Sequence, residues 1–299
     1  MSEHTAEAIA ALATQHGLPI DPATVRLNEA GLDYRVAIAA TTAGERWVLR
    51  IPRREDVSAK ITDEAAILDV VRPHLSVAVP DWRIRTDSLI AYPLLPGKPG
   101  LTLDEKTGQP NWYLDPHSPT YARAFGELLA ELHRIPAAEA EAGGMPVQSP
   151  DEVRAQWRDD LATVSAEFTI SPAFDQRWRT WVEDDSSWPT WSVLTHGELY
   201  PAHVLIDDDE RPTAVLDWTT AKVADPGRDF ALHHMIAGPE AFAITVKTYE
   251  RAEGRTWPRL ADHCAELVGA SPIAYGLYAL VTGQDEHRAA AQEMLDPSG

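Results

Sequence analysis

The sequence of 299 residues is short of cysteine and of basic residues, and each shortage argues against a class of protein. Its one cysteine can form neither an intramolecular disulfide nor a zinc site built from several thiolates. Lysine and arginine number 26 against 46 aspartates and glutamates, so the formal net charge is −20. Because this charge repels phosphate backbones and no basic cluster stands out, we expect no nucleic-acid partner.

Long hydrophobic runs are also missing. The most apolar late stretch, around residues 273–281, is far too short to cross a bilayer. The first residues are acidic and lack the basic region that begins a secretion signal. We therefore expect a cytoplasmic protein without a membrane partner, and we expect it to be a monomer.

Familiar local motifs are scarce too. The sequence contains no Walker A pattern, no dinucleotide-type glycine fingerprint, no Gly-x-Ser-x-Gly and no His-Glu-x-x-His. What it does contain is an ordinary globular balance, with 44% hydrophobic and 24% charged residues. That composition is typical of a folded chain and argues against a disordered one.

The first third of the sequence alternates strand patterns with turns. Residues 34–39, 46–51 and 89–92 predict β-strands, and a helix is predicted over residues 64–71. The Pro/Gly-rich run 93–100 should break all regular structure. We take it as the boundary between a β-rich nucleotide-binding domain, residues 1–95, and a helical C-terminal domain, residues 96–299.

Helical patterns dominate the rest of the chain. An apolar stripe between residues 121 and 132 predicts a core helix. Further helices are predicted over residues 151–168, over 174–182 and from about 230 to the C-terminus. One island, residues 191–216, instead predicts short strands joined by an acidic hairpin tip.

The island carries the residues best suited to chemistry. Its first loop contains Glu198 and His203, and its last strand leads directly into Asp217. A carboxylate that accepts a proton, together with an imidazole and a second carboxylate that hold a divalent cation, is what phosphoryl transfer requires. Each residue alone could be an ordinary surface or turn residue, but the spacing and the strand context together favour a site.

These motifs resemble those of a known family. His-Gly-Glu at residues 196–198, with His203 and with Leu-Asp-Trp at residues 216–218, resembles the catalytic and metal loops of aminoglycoside phosphotransferase-like kinases. Their usual loop is His-Gly-Asp with Asn five residues after the Asp, and the form with His at that place is similar to the macrolide 2′-phosphotransferases. Four more segments agree with that subfamily, namely residues 47–54, 79–83, 184–189 and 257–260. The resemblance runs from about residue 20 to the C-terminus and implies an α+β, bilobal protein-kinase-like fold.

The resemblance implies roles for particular residues. Glu198 stands at the position of the catalytic Asp, and His196 shapes the loop beside it. His203 and Asp217 stand at the metal-ligand positions. The nucleotide contacts that it implies are Arg50 in place of the usual lysine, Glu64 as its helix partner, Gly31, Lys60, Tyr92, Leu94 and Leu95. For Tyr92, core packing is an equal alternative.

The resemblance also implies a substrate and cofactors. The γ-phosphate of GTP would pass, with Mg²⁺ as cofactor, to the 2′-hydroxyl of the amino sugar of a macrolide antibiotic, which would inactivate the drug. A macrolide is large and mostly apolar, so its site should be a wide apolar cleft. The candidate substrate contacts are Tyr200, Phe230, Met235, Tyr275 and Tyr278, for which core packing is the alternative.

Two residues depart from the family pattern. Arg50 remains a cation able to bind phosphate, so this change is tolerated. Glu198 is one methylene longer than Asp, and positional errors of about 1 Å can cost about a hundredfold in rate. Two alternatives to a macrolide kinase therefore stay open: a kinase of another small alcohol, such as an aminoglycoside or a sugar, and a catalytically weakened nucleotide- or macrolide-binding protein.

Two acidic residues follow the metal loop. Asp225 and Asp229 open the next helix, with Arg228 able to pair with either. We expect them to cap that helix and to bond the loop, with a ligand role as the alternative.

Overall fold

The computed structural model describes residues 5–28, 33–58, 61–104 and 107–297. The β-strands of this part are β1 (Arg26–Asn28), β2 (Tyr34–Ala40), β3 (Arg46–Pro52), β4 (Ile84–Arg85), β5 (Ile90–Pro93), β6 (Lys98–Pro99), β7 (Leu101–Leu103), β8 (Pro110–Trp112), β9 (Val193–Thr195), β10 (Val204–Ile206), β11 (Pro212–Val215) and β12 (Lys222–Ala224). The helices are α1 (Ala6–Gln15), α2 (Glu55–Ser58), α3 (Ile61–Val71), α4 (Pro119–His133), α5 (Ala137–Ala142), α6 (Pro150–Glu167), α7 (Pro172–Glu183), α8 (Gly227–Arg251), α9 (Leu260–Gly269), α10 (Ser271–Thr282) and α11 (Asp285–Leu295).

The chain forms two compact units. The first comprises residues 1–114, 142–145 and 201–219, and the second comprises residues 115–141, 146–200 and 220–299. The first unit thus includes the β10–β11 hairpin, because β10 pairs with β6 and Ala78 pairs with Ala214. The boundary predicted after residue 95, between a nucleotide-binding domain and a helical domain, stays a prediction. The two compact units are divided at other positions.

The first unit is built on an antiparallel sheet in the order β1-β2-β3-β5-β4. Its strands confirm the patterns predicted for residues 34–39, 46–51 and 89–92. Helix α1 contributes Ile9 and Ala13 to a hydrophobic core that also contains Leu49 and Leu89. This packing holds β3 and β5 side by side within the sheet, and they carry two of the predicted nucleotide contacts, Arg50 and Tyr92.

The sequence predicted no regular structure in residues 93–100, but this Pro/Gly-rich run is not free of it. It contains β6, which pairs antiparallel with β10. Gly97, at φ 99°, makes this approach possible, since a Cβ there would lie 2.8 Å from the carbonyl oxygen of Ile206. Two residues of pairing give almost no alternating pattern, which is why the strand escapes sequence analysis.

The second unit is helical apart from β9 and β12, which pair with each other. Its core contains the tryptophans Trp178, Trp181 and Trp188. Helix α4 packs on α8, which breaks at Gly238 (φ 70°) before Pro239. Helix α8 begins at Gly227, three residues before its predicted start.

The apolar segment formed by the consecutive helices α9 and α10 is longer than the stretch around residues 273–281 that the sequence analysis considered. Together residues 260–282 reach the length and the mean hydropathy, 1.4, of a membrane span, because α9 extends the apolar run recognised in the sequence. These helices pack against α6, α8 and α11 of their own unit, and Ile273 and Ala279 lie in its core. Core helices often have such a composition, so the segment is weak support for a membrane association.

A buried histidine makes the stability of the second unit depend on pH. His233 lies with its Nε2 2.8 Å from Oγ1 of Thr245, and burial lowers its pKa from 6.5 to about 4. The unfolded chain takes up this proton near pH 6.5, whereas the folded chain takes it up only near pH 4. The stabilisation is therefore complete above pH 6.5 and is lost as the pH falls toward 4. At about 1.4 kcal/mol per pKa unit, this loss is about 3 kcal/mol.

We expect the variant His233→Gln to weaken this pH dependence. Glutamine keeps a donor for Thr245 but does not titrate, so the fall in the free energy of unfolding between about pH 7 and pH 4 should shrink by about 3 kcal/mol. Urea unfolding at the two pH values measures it. An unchanged fall would show that other groups cause the acid sensitivity.

Candidate active site

The loop from residue 196 to residue 200 follows β9 in the second unit. His196 is fully buried, and Gly197 has a φ of 90°, in the left-handed region that favours glycine. A Cβ at Gly197 would overlap the Arg228 guanidinium. The backbone N–H of Glu198 donates to Nδ1 of His196 at 3.2 Å, while its side chain is exposed. The sequence-predicted His196 therefore acts inside the loop, and Glu198 faces outward.

One carboxylate holds the loop by its backbone. Asp229, fully buried at the start of α8, accepts the N–H of Gly197 on Oδ1 at 2.6 Å and the N–H of His196 on Oδ2 at 3.0 Å. Nε2 of His133 lies 3.1 Å from the same Oδ2. Burial acts to raise the pKa of Asp229, but the hydrogen bond and charge of His133 outweigh it and hold that pKa below its ordinary value. The carboxylate therefore stays ionised and keeps both amides in place.

Arg228 ties the same loop to its surroundings. Its guanidinium donates to Oγ1 of Thr195 at 2.8 Å and to the carbonyl of Thr220 at 3.1 Å. Oγ1 of Thr220 in turn donates to the carbonyl of His196 at 2.8 Å. Burial lowers the pKa of Arg228. The start of the loop is thus tied to Thr220, which precedes β12, and Arg228 at the start of α8 bonds both Thr220 and Thr195.

Asp225 behaves as the sequence predicted. Its Oδ1 accepts the N–H of Gly227 at 2.8 Å, and this bond begins α8 earlier than the hydrophobic pattern suggested. Its Oδ2 lies 2.6 Å from Nε2 of His263, whose Nδ1 accepts the indole N–H of Trp181 at 3.1 Å. The loop-bonding role expected of Asp225 and Asp229 is borne out, whereas the N-cap residue of α8 is Pro226 and no side chain caps that helix in the usual way.

The first unit carries the predicted metal ligands on its β10–β11 hairpin. The N–H of Leu216 donates to the carbonyl of His203 at 2.8 Å, and Nε2 of His203 lies 3.8 Å from Oδ2 of Asp217. Asp217 has a φ of 58°, a conformation that few residues other than glycine adopt and that often marks functional positions. Oγ1 of Thr219 donates to its Oδ1 at 2.7 Å. A carboxylate and an imidazole at this spacing form a donor set that suits a divalent cation.

The same unit contains the predicted phosphate-binding cation. Nη1 of Arg50 lies 3.0 Å from Oε1 of Glu64, with side chains only 13% and 3% exposed. The guanidinium also lies 4.0 Å from the ring centroid of Tyr34 and 5.6 Å from that of Trp82. Burial raises the pKa of Glu64, Arg50 opposes this shift, and the field of Asp217 adds to it. The negative charge of Asp217 therefore acts on the Arg50–Glu64 pair.

The other predicted nucleotide contacts have different surroundings. Tyr92 is buried opposite Val48, and burial raises its pKa to about 12. The N–H of Leu94 donates to the carbonyl of Arg46 at 2.9 Å, so this amide is already used within the sheet. Leu94 and Leu95 are half-buried. Gly31 and Lys60 lie outside the described residues.

The predicted substrate residues separate into core and surface. Phe230 is 1% exposed and its ring packs 5.1 Å from that of Tyr249, so the structure places it in the core and not on a substrate-lined surface. Tyr275 is half-buried, with its hydroxyl 3.0 Å from Nδ1 of His287. Core packing explains these two residues, as the alternative interpretation allowed.

The remaining substrate candidates are accessible. Met235 is 55% exposed and Tyr278 is 48% exposed, while Tyr200 is half-buried at the end of the loop 196–200. The side chains of Met235 and Tyr278 are therefore accessible to a ligand. Their contact with a substrate stays a prediction.

Sequence analysis missed two residues of the loop support. His133 and Tyr249 lie in the last turns of α4 and α8, far along the chain from residue 196. The one sequence signal is a histidine directly continuing the apolar stripe of α4, which by itself suggests a buried, hydrogen-bonded side chain. Only the packing of α4 on α8 shows what that side chain bonds.

Comparisons with known proteins identify the family of the chain. The family model described as "Phosphotransferase enzyme family" matches residues 24–263. YcbJ of Bacillus subtilis (strain 168), an uncharacterized protein, is 40% identical over 289 residues, which cover 96% of this chain and 94% of that protein.

Two solved structures are more informative. The macrolide 2′-phosphotransferase MphH from Brachybacterium faecium is 51% identical with a TM-score of 0.95, and the match covers 98% of each chain. Macrolide 2′-phosphotransferase type I is 42% identical with a TM-score of 0.89, covering 97% of this chain and 96% of that one. The α+β fold and the resemblance to this group of kinases, both predicted from sequence, are confirmed. The chain therefore belongs to the phosphotransferase enzyme family.

Proposed function

We propose that the protein is a macrolide 2′-phosphotransferase, which transfers the γ-phosphate of GTP to the 2′-hydroxyl of a macrolide amino sugar and so inactivates the antibiotic. As a member of its family, the chain is a phosphotransferase that acts on a hydroxyl group. The observation that carries the finer proposal is the buried anchoring of the Glu198 loop by Asp229, in a chain 51% identical to MphH.

The roles of the residues follow from their chemistry. The Glu198 carboxylate orients the substrate hydroxyl and accepts its proton as the oxygen attacks the γ-phosphorus. The bond from that phosphorus to the bridging oxygen breaks, and GDP leaves. Arg50, held by Glu64, binds phosphate oxygens. His203 and Asp217 would hold Mg²⁺, which when bound neutralises charge on the phosphates.

The proposed substrate fits the charge and surface of the chain. A macrolide combines a large apolar ring with a cationic dimethylamino group. The net charge of −20 attracts a cation, and the exposed Met235 and Tyr278 offer apolar contact. We further propose that the enzyme works as a cytoplasmic monomer, without nucleic-acid or membrane partners.

Mass spectrometry of erythromycin incubated with protein, Mg²⁺ and GTP tests this function. We expect the drug to gain the mass of one phosphate, and to gain less with ATP in a parallel tube. An aminoglycoside in place of erythromycin should stay unmodified. Modification of the aminoglycoside alone would assign another alcohol as substrate, and no product from either acceptor, with nucleotide binding verified, would indicate a protein that has lost catalysis.

A further inference from the structure

A buried chain of hydrogen bonds extends from the Glu198 loop to the far end of α8. Asp229 uses Oδ2 for the N–H of His196, and Nε2 of His133 lies 3.1 Å from that oxygen. Nδ1 of His133 lies 2.9 Å from the hydroxyl of Tyr249. Since an ionised carboxylate only accepts, Nε2 of His133 carries a hydrogen, and Nδ1 is left to bond the hydroxyl of Tyr249.

The ring of Tyr249, at the end of this chain of hydrogen bonds, is tightly enclosed. Tyr249 is 1% exposed, and its ring lies so close to Gly254 that a Cβ there would overlap it. The rings of Phe230 and His133 pack edge-on against it, with centroids 5.1 Å and 5.5 Å away. These contacts hold the tyrosine ring in place, so its hydroxyl stays 2.9 Å from Nδ1 of His133.

The imidazole in turn fixes the carboxylate. Both oxygens of Asp229 must face the adjacent amides of His196 and Gly197 at the same time. A rotation about the Cβ–Cγ bond of Asp229 would break one of these bonds, and the hydrogen bond from His133 opposes that rotation. Glu198 is the next residue along the chain, so its backbone position depends on this arrangement.

We propose that His133 and Tyr249 are positioning residues for the phosphoryl transfer, which act through Asp229 to place the carboxylate of Glu198. The proposal rests on the proposed function for its turnover readout. The carboxylate of a glutamate lies one methylene and one rotatable bond further from the backbone than that of an aspartate. A backbone shift of about 1 Å beneath Glu198 would therefore misplace its carboxylate.

The variant Tyr249→Phe tests this with the least disturbance, because it keeps the ring and removes only the hydroxyl. We expect kcat for macrolide phosphorylation to fall about tenfold and the nucleotide Kd to stay within about twofold. His133→Met should lower kcat by about a hundredfold, and His133→Gln, whose amide still donates to Asp229, should recover most of the rate.

Thr245→Val is the matched control. Oγ1 of Thr245 is buried between the same two helices and donates to the carbonyl of Ala122 at 2.9 Å, but the described contacts of this hydroxyl do not include the catalytic loop. We expect Thr245→Val to lower Tm about as much as Tyr249→Phe does, while leaving kcat unchanged. If kcat falls in Thr245→Val as much as in Tyr249→Phe, the rate follows stability alone and the proposal is wrong.

Two further measurements separate this proposal from the proposed function. Hydrogen exchange at the amides of His196 and Gly197 should be about tenfold faster in Tyr249→Phe and unchanged in Thr245→Val, whatever the substrate. In the double variant His133→Met with Tyr249→Phe, the loss of the hydroxyl should cost nothing more. Additive losses, or unchanged exchange, would overturn the positioning role, whereas failure of the wild type to modify erythromycin would overturn only the proposed function.

Discussion

The variant Glu198→Gln should lower kcat by about a thousandfold while the nucleotide Kd stays within about twofold. Glutamine has the shape of glutamate but cannot take the proton of the attacking hydroxyl. The backbone of the loop is held by Asp229 and Thr220, and both side chains remain in this variant. Product formation by mass spectrometry and nucleotide binding by calorimetry measure the two effects separately.

The companion variant Glu198→Asp measures how far the site is adapted to the longer side chain. If the anchored loop places the glutamate correctly, kcat should fall by about a hundredfold, because the carboxylate then stops short by about one methylene. A rise in kcat would instead show that the glutamate handicaps the enzyme. Retention of turnover in Glu198→Gln would remove Glu198 from its proposed role altogether.

Replacing Asp217 by asparagine is expected to have the second large effect. Asparagine accepts the left-handed backbone conformation, φ 58°, that this position requires, so the hairpin should fold normally. The side chain loses its charge and most of its affinity for a divalent cation. We expect nucleotide affinity in the presence of Mg²⁺ to fall to the value measured with a chelator, and kcat/KM to fall by about a thousandfold.

The control for this change lies on the same hairpin. Asp208 is fully exposed at the tip, where Oδ1 lies 3.2 Å from Nζ of Lys98, and such surface pairs contribute little. Asp208→Asn should therefore leave nucleotide affinity and turnover unchanged, although it removes the same charge. If Asp217→Asn binds nucleotide in the presence of Mg²⁺ as tightly as the wild type does, the metal assignment is wrong.

Several elements of the fold were predictable because their patterns are local. The alternation in residues 34–39 and 46–51 identified β2 and β3, and the stripe on residues 121–132 identified α4. Two-residue β6 and three-residue β12 were not predicted. Each is too short to show a period, and each exists because a partner strand, β10 or β9, lies beside it.

The candidate site shows the same division. The sequence alone determined the types and spacing of Glu198, His203 and Asp217, because all three lie close together along one segment of the chain. The tertiary structure decided that Phe230 lies in the core and that the amide of Leu94 is already bonded.

The structure alone also joined His133 and Tyr249 to Asp229, since His133 comes from the last turn of α4 and Tyr249 and Asp229 come from opposite ends of α8. Residue identity fixes which groups can donate, accept or hold charge. Which of them meet depends on helix packing between distant segments, and no local pattern in the chain encodes that.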